Sequence, residues 1–182
     1  MAIFISAGHN NKGIKPDPGA VGNGYTEANL AVEFRNLVIE ELTKLGEKVI
    51  KDNDDERLAD YLKRIQTDSG SVVLEFHFDA AASATATGTT ALIGGDADRL
   101  DKAFGKELVE ATSAILGIKN RGVLSEADSH RGRLGLMRES GIVALLELCF
   151  ISNINDLKAY NEHKKELAVK IASIVQHYEK LV

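Results

Sequence analysis

"GIVALLELCFIS", residues 141–152, is the most hydrophobic run in the 182-residue chain. A short continuous apolar run of this kind suits a strand buried on both faces of a largely parallel sheet. It therefore reads as the central strand of the fold. One residue is out of place in it: Glu147 lies in its second half, and an unpaired buried carboxylate is costly, so something polar must face it. Two readings are open. Glu147 is held in a structural ion pair by an arginine such as Arg133 or Arg138, or it is a working group placed where a strand ends.

Outward from this strand, four further segments read the same way: "AIFIS" (2–6), "EKVIK" (47–51), "SVVLEFHFDA" (71–80) and "TTALIG" (89–94). Helical patterns separate them. Thr26 can cap a helix whose apolar positions Leu30, Phe34, Leu37, Val38, Leu42 and Leu45 follow helical spacing up to Gly46. "DERLADYLKRIQTDSG" reads as a short helix ended by Gly70. Leu100, Phe104, Leu108, Ala111 and Ile115 stripe a helix that stops at Gly117. From Asn155 a long helix turns Leu167, Ile171, Ile174 and Tyr178 inward. Strands alternating with helices predict a single α/β domain over residues 1–182. Its sheet is expected to be twisted and mostly parallel, of five to six strands, with helices on both faces.

Composition narrows the function classes. With 44% hydrophobic and 27% charged residues the chain is an ordinary globular sequence. Its net charge of −5, with scattered basic residues, argues against nucleic acid as a partner. No run reaches the ~20 apolar residues that span a bilayer, so no membrane insertion is expected. The start "MAIFISAGHN" has no basic n-region and reads as a core strand, which predicts synthesis in the cytoplasm without a signal peptide. The single cysteine, Cys149, allows no internal disulfide. No glycine-rich phosphate loop follows the first strand, which disfavours a nucleotide-binding domain.

In such sheets ligands bind beyond the carboxyl ends of the strands. His9 follows the first strand, and His77 and Asp79 close the third. Strand alternation puts Glu75, His77 and Asp79 on one face, opposite Phe76 and Phe78. Between the first strand and the first helix, the segment "ISAGHNNKGIKPDPGAVGNGYTEANLA" (5–31) holds five of the sixteen glycines and both prolines. It runs from His9 to Glu27, the latter in a first helical turn. Two histidines and an acid supply the His2Glu set used by catalytic zinc, which leaves a fourth position for water. The separations, 18 residues from His9 to Glu27 and 50 from Glu27 to His77, match no local zinc-finger pattern. Only the fold could bring them together. Cys149 is a rival nucleophile, since alternation places it on the face of Glu147, although a small buried thiol usually only packs. His130 reads as an exposed loop histidine with a further ligand or substrate contact as the alternative, and His163 and His177 read as solvated.

The blocks "GHN…DPGAVGNGYTEANLA", "EFHFDAAASATATGTTALI" and "LGLMRESGIVALLELCFISNINDL" resemble the signature blocks of the zinc-dependent N-acetylmuramoyl-L-alanine amidases, a family of autolysins and phage endolysins. The resemblance covers nearly the whole chain and implies a mixed sheet flanked by helices. It implies that His9, Glu27 and His77 hold one Zn2+ and that Glu147 is the catalytic acid–base. The implied reaction is hydrolysis of the amide between N-acetylmuramic acid and L-alanine, with peptidoglycan as the partner. Asp79 departs from the family, which usually has asparagine there, and an extra carboxylate could change substrate contacts or raise the pKa of Glu147. A phage or prophage lysin acting on the wall after release is the expected setting, with a separate wall-binding domain as a possible companion. The alternatives are a non-catalytic peptidoglycan-binding module and a zinc peptidase acting on another wall amide.

Overall fold

A computed structural model describes residues 2–13, 15–129 and 132–182. In chain order its elements are β1 (Ala2–Ala7), β2 (Val21–Gly22), β3 (Tyr25–Thr26), α1 (Glu27–Lys44), β4 (Val49–Lys51), α2 (Leu58–Arg64) and β5 (Ser71–Asp79). They continue with β6 (Thr89–Ile93), α3 (Arg99–Leu116), β7 (Asn120–Ser125), a single 3-10 turn (Gly135–Arg138), β8 (Ile142–Phe150) and α4 (Ile154–Glu179). Six strands form one sheet in the order β4-β1-β5-β8-β6-β7, while β2 and β3 make a small separate hairpin. β4, β1, β5 and β8 run parallel to one another. β6 is antiparallel to β8, and β7 is parallel to β6. The sheet is mixed and mostly parallel, with helices on both faces, as expected.

Alternation sorts the strand residues into two cores. Ile3, Ile5, Leu74, Phe76, Ala144 and Leu146 pack with α1, α3 and α4 in the larger cluster. Phe4, Val73, Leu92, Val143 and Leu145 face the other way, against Tyr61, Ile65, Leu136 and Met137. On that second face the apolar rows give out toward the strand ends, where Ser6, Glu75, His77 and Glu147 are buried instead.

Local chemistry explains most of the boundaries. Thr26 caps α1 by accepting from the Asn29 amide. At its far end Glu47 donates its amide to Leu42, so β4 begins only at Val49 rather than at 47. α2 ends at Arg64, well before Gly70, because Ile65 turns extended and drops into the smaller core. Asn153 caps α4, and the buried Asp156 carboxylate accepts from the Thr87 hydroxyl and the amides of Gly88 and Phe150, which ties α4 to β8 and to the approach to β6. β7 was not expected: it is an edge strand, mostly exposed, with no apolar alternation to announce it.

β8 carries an irregularity. His77 lies opposite Glu147, but Asp79 lies opposite Phe150, so β8 has one more residue than β5 over this stretch. Leu148 and Cys149 consequently both join the larger core cluster. Cys149 does not share the face of Glu147, as plain alternation had implied, and burial pushes its thiol well above the ordinary range. No helix among the described residues is long and apolar enough to cross a membrane.

Candidate metal centre

The first strand delivers His9 by a sharp change of direction. The Gly8 amide still bonds to Phe76, so β1 and β5 stay paired to that point. A Cβ on Gly8 would lie 2.2 Å from the His77 ring, which is why glycine stands where the two strands pass. His9 then adopts a left-handed backbone (φ 68°), unusual for a residue with a side chain, and leaves the strand direction. Asn10 and Asp17 exchange both backbone hydrogen bonds (2.8 and 2.7 Å), closing the segment between them.

The remainder of the loop folds over the start of α1. The Glu27 and Ala28 amides, which have no partner inside the helix, donate to the carbonyls of Ala20 and Pro18. Gly19 has φ +64°, and a Cβ there would meet Glu27 Oε2 and the His9 ring at 2.6 Å. Both its conformation and its lack of a side chain are used.

These devices bring three residues together. His9 Nε2 lies 3.3 Å from Glu27 Oε2, and His77 Nδ1 lies 2.7 Å from Glu27 Oε1. Ligand atoms of the three residues all lie within 4.8 Å of one another, so His9, Glu27 and His77 could hold a metal ion. The Glu27 carboxylate also accepts from the amides of Ala20 (2.9 Å) and Phe78 (3.1 Å), which fixes its plane. Behind the rings, His9 Nδ1 meets Asp17 Oδ2 at 2.9 Å and His77 Nε2 meets Glu75 Oε1 at 3.0 Å.

The acids and imidazoles perturb one another strongly. Burial pushes Glu27 up, but hydrogen bonds from His77 and His9 outweigh it and hold the carboxyl well below the usual range. Burial pulls His77 down, and bonding to Glu27 and Glu75 overrides it, lifting the imidazole to about 10. His9 is raised above its ordinary value by Glu27 and Asp17 against the same burial effect. Glu147, 3% exposed, lies in register beside His77 from β8, and its charge adds to the upward pull on that ring. Neither arginine considered as its structural partner has that part: Arg138 binds Glu126 at 2.5 Å, and Arg133 is exposed.

The other polar positions separate from this group. Asp79 is half-buried and turns its carboxylate onto the Ala80 amide. His163 pairs with Glu166 on the solvent side of α4, and His177 is exposed. His130 falls outside the described residues. Three contributors were not read from sequence: Asp17 as the partner of His9, and Glu75 with Ser6 behind His77. For Glu75 a signal existed, since it precedes His77 by two residues on the same strand face.

A cleft of about 320 Å³ opens onto the group, lined by Gly8, His9, Asn10, Lys15, Asp17, Arg57, Leu58, Glu75 and His77 among others. It shares Lys15 and Arg57 with a neighbouring groove of about 420 Å³.

Among curated proteins no sequence matches the chain. Among solved structures, one from Neisseria meningitidis assigned as an N-acetylmuramoyl-L-alanine amidase is 32% identical, with a TM-score of 0.79 over 97% of this chain and 94% of its own. The CwlD amidase of Clostridioides difficile, solved with the GerS lipoprotein, shares the fold at 21% identity and a TM-score of 0.81, covering 100% of this chain and 99% of its own. The catalytic domain of the CD27L endolysin targeting Clostridia difficile shares it at 16% identity and a TM-score of 0.73, with 97% of each chain covered. A family model described as N-acetylmuramoyl-L-alanine amidase matches residues 3–177, and over that span the chain belongs to the N-acetylmuramoyl-L-alanine amidase family.

Proposed function

We propose that this chain is a zinc-dependent hydrolase of the amide joining N-acetylmuramic acid to L-alanine in peptidoglycan. One observation carries the reading: two imidazole nitrogens and a carboxylate oxygen converge from a strand end, a helix start and a second strand, with Glu147 in register beside them. Two nitrogens and one oxygen fit a catalytic zinc site, whereas a structural zinc site is closed by four protein ligands. His9 Nε2, Glu27 and His77 Nδ1 would hold the ion. When bound, it supplies Lewis acidity that polarises the scissile carbonyl and lowers the pKa of water toward ~7.

The remaining work belongs to this chain's own groups. Glu147 accepts a proton from the attacking water and returns it to the departing amino group of L-alanine. Asp17 keeps the His9 imidazole turned toward Glu27. The cleft that carries Lys15 and Arg57 admits the glycopeptide, and Asp79, at the end of β5 and outside the lining of that cleft, is assigned to a peripheral substrate contact. The setting we propose is the bacterial wall, with a phage or prophage lysin as the finer reading, supported by the fold shared with an endolysin catalytic domain.

Purified sacculi provide the test. Treated with the zinc-loaded protein, they should release new L-alanine amino termini without new reducing sugar ends, and chelation should reduce release to background until zinc is restored. Release of a different amino terminus would make the protein a wall peptidase. Binding without release would make it a recognition module.

A further inference from the structure

Ser6, Glu75 and His77 form a line of contacts behind the candidate metal centre. Ser6 of β1 and Glu75 of β5 are register partners, and the Ser6 hydroxyl donates to Glu75 Oε2 at 2.9 Å. The other oxygen, Oε1, lies 3.0 Å from His77 Nε2. Ser6 and Glu75 are each 1% exposed. Val73 and Leu145, on the same sheet face, belong to the smaller apolar cluster, so position 75 is a core position filled by a carboxylate. Such a group is expensive to bury without strong partners, and one neutral hydroxyl is a weak partner.

What Glu75 provides in return is direction. The two nitrogens of His77 are divided between two carboxylates, Nδ1 toward Glu27 and Nε2 toward Glu75. An imidazole that donates its outer N–H to a carboxylate has its tautomer and ring plane fixed, and its inner nitrogen becomes a better metal donor. His9 has a similar partner in Asp17, but that carboxylate is 64% exposed and exchanges its bond with water more easily. The buried pair is therefore the stronger of the two constraints.

We propose that Glu75, seated on Ser6, is the positioning residue that commits His77 to present Nδ1 to the metal. The proposal rests on the zinc-site reading above, and its test separates the two. The zinc affinity of the folded protein is measured by competition with a chromophoric chelator at fixed pH, alongside the visible spectrum of the cobalt-substituted protein. Glu75→Met keeps a buried side chain of similar volume and removes the acceptor. It should weaken zinc by about 10- to 100-fold, alter the cobalt spectrum and lower kcat at saturating zinc with KM little changed. Glu75→Gln keeps a carbonyl acceptor for Nε2–H and should recover most of that affinity.

A Glu75→Met protein that folds and binds zinc within about twofold of wild type overturns the proposal, because a merely structural carboxylate would change stability and not metal affinity. Should that variant fail to fold, Ser6→Ala decides: a loss of about three- to tenfold in zinc affinity supports the proposal and no change overturns it. Failure of the underlying reading looks different. The wild-type protein would then bind zinc no better than His77→Ala.

Discussion

The two faces of the sheet are covered unequally. One lies under α1, α3 and α4, helices of 18, 18 and 26 residues. Among the described residues, the other lies under α2, of seven residues, and a four-residue 3-10 turn. On the heavily covered face β1, β5 and β8 are apolar along their length. On the lightly covered face the apolar packing stops short, and the strand ends carry Ser6, Glu75, His77 and Glu147. Burial on the first face stabilises the molecule, and thin cover on the second leaves a cleft beside charged groups. Titratable residues at C-terminal strand ends can then be both buried enough to be perturbed and close enough to a substrate to be used.

This division can be broken by mutation. The largest expected effect is Glu147→Gln, on the lightly covered face: sacculus hydrolysis should fall about 10²- to 10⁴-fold, while bound zinc and thermal midpoint stay near wild type. A variant that loses its fold instead would place Glu147 among the structural acids. On the heavily covered face Ile171→Ala should cost about 2–5 kcal/mol in denaturant unfolding, with unchanged activity per folded molecule, whereas Leu136→Ala under the thin cover should fall at the low end of that range because a thin layer collapses more easily.

Acidity probes the boundary between the two faces. Glu27, held below its ordinary 4.5, contributes stability above that pH and loses it on acidification. His77, raised from 6.5 to about 10, contributes fully below 6.5 and loses its contribution as pH rises through about 10. Chelated protein should therefore be most stable between about pH 4.5 and 6.5, and a thermal midpoint that stays level from pH 4 to 10 would refute the coupling. The smallest effect belongs to Cys149→Ala, with a cost of about 1 kcal/mol, full activity and no sensitivity to alkylating reagents. Inactivation by such reagents would return the thiol to the site.

Much of this arrangement is legible in the sequence where a strong period exists. β5, β8, α3 and α4 announce themselves by unbroken apolar stripes, and His9, His77 and Glu147 stand out because polar groups at the ends of buried strands need a reason. Other features have no periodic signal. β7 is exposed and irregular in composition, and the reversed direction of β6 depends on how the sheet assembles rather than on its own residues. α2 stops early because Ile65 finds the core, a tertiary effect that overrides local helical pattern. Asp17 reads as turn chemistry, and its amide-capping oxygen does serve Gly19, but its other oxygen turns to His9. The side on which Cys149 falls cannot be read by counting residues in twos, since the count slips within the strand itself.

That slip in β8 limits how the chain can change. Upstream of it, the strand is phased so that Glu147 lies in register beside His77. Downstream, the added residue resets the phase, so that Ile151 enters the larger core and Asn153 and Asp156 arrive where they start α4. Loss of either Leu148 or Cys149 would force a choice between aiming the acid and anchoring the longest helix. A one-residue insertion or deletion elsewhere in β8 should be as disruptive, because it would turn the following side chains to the opposite face.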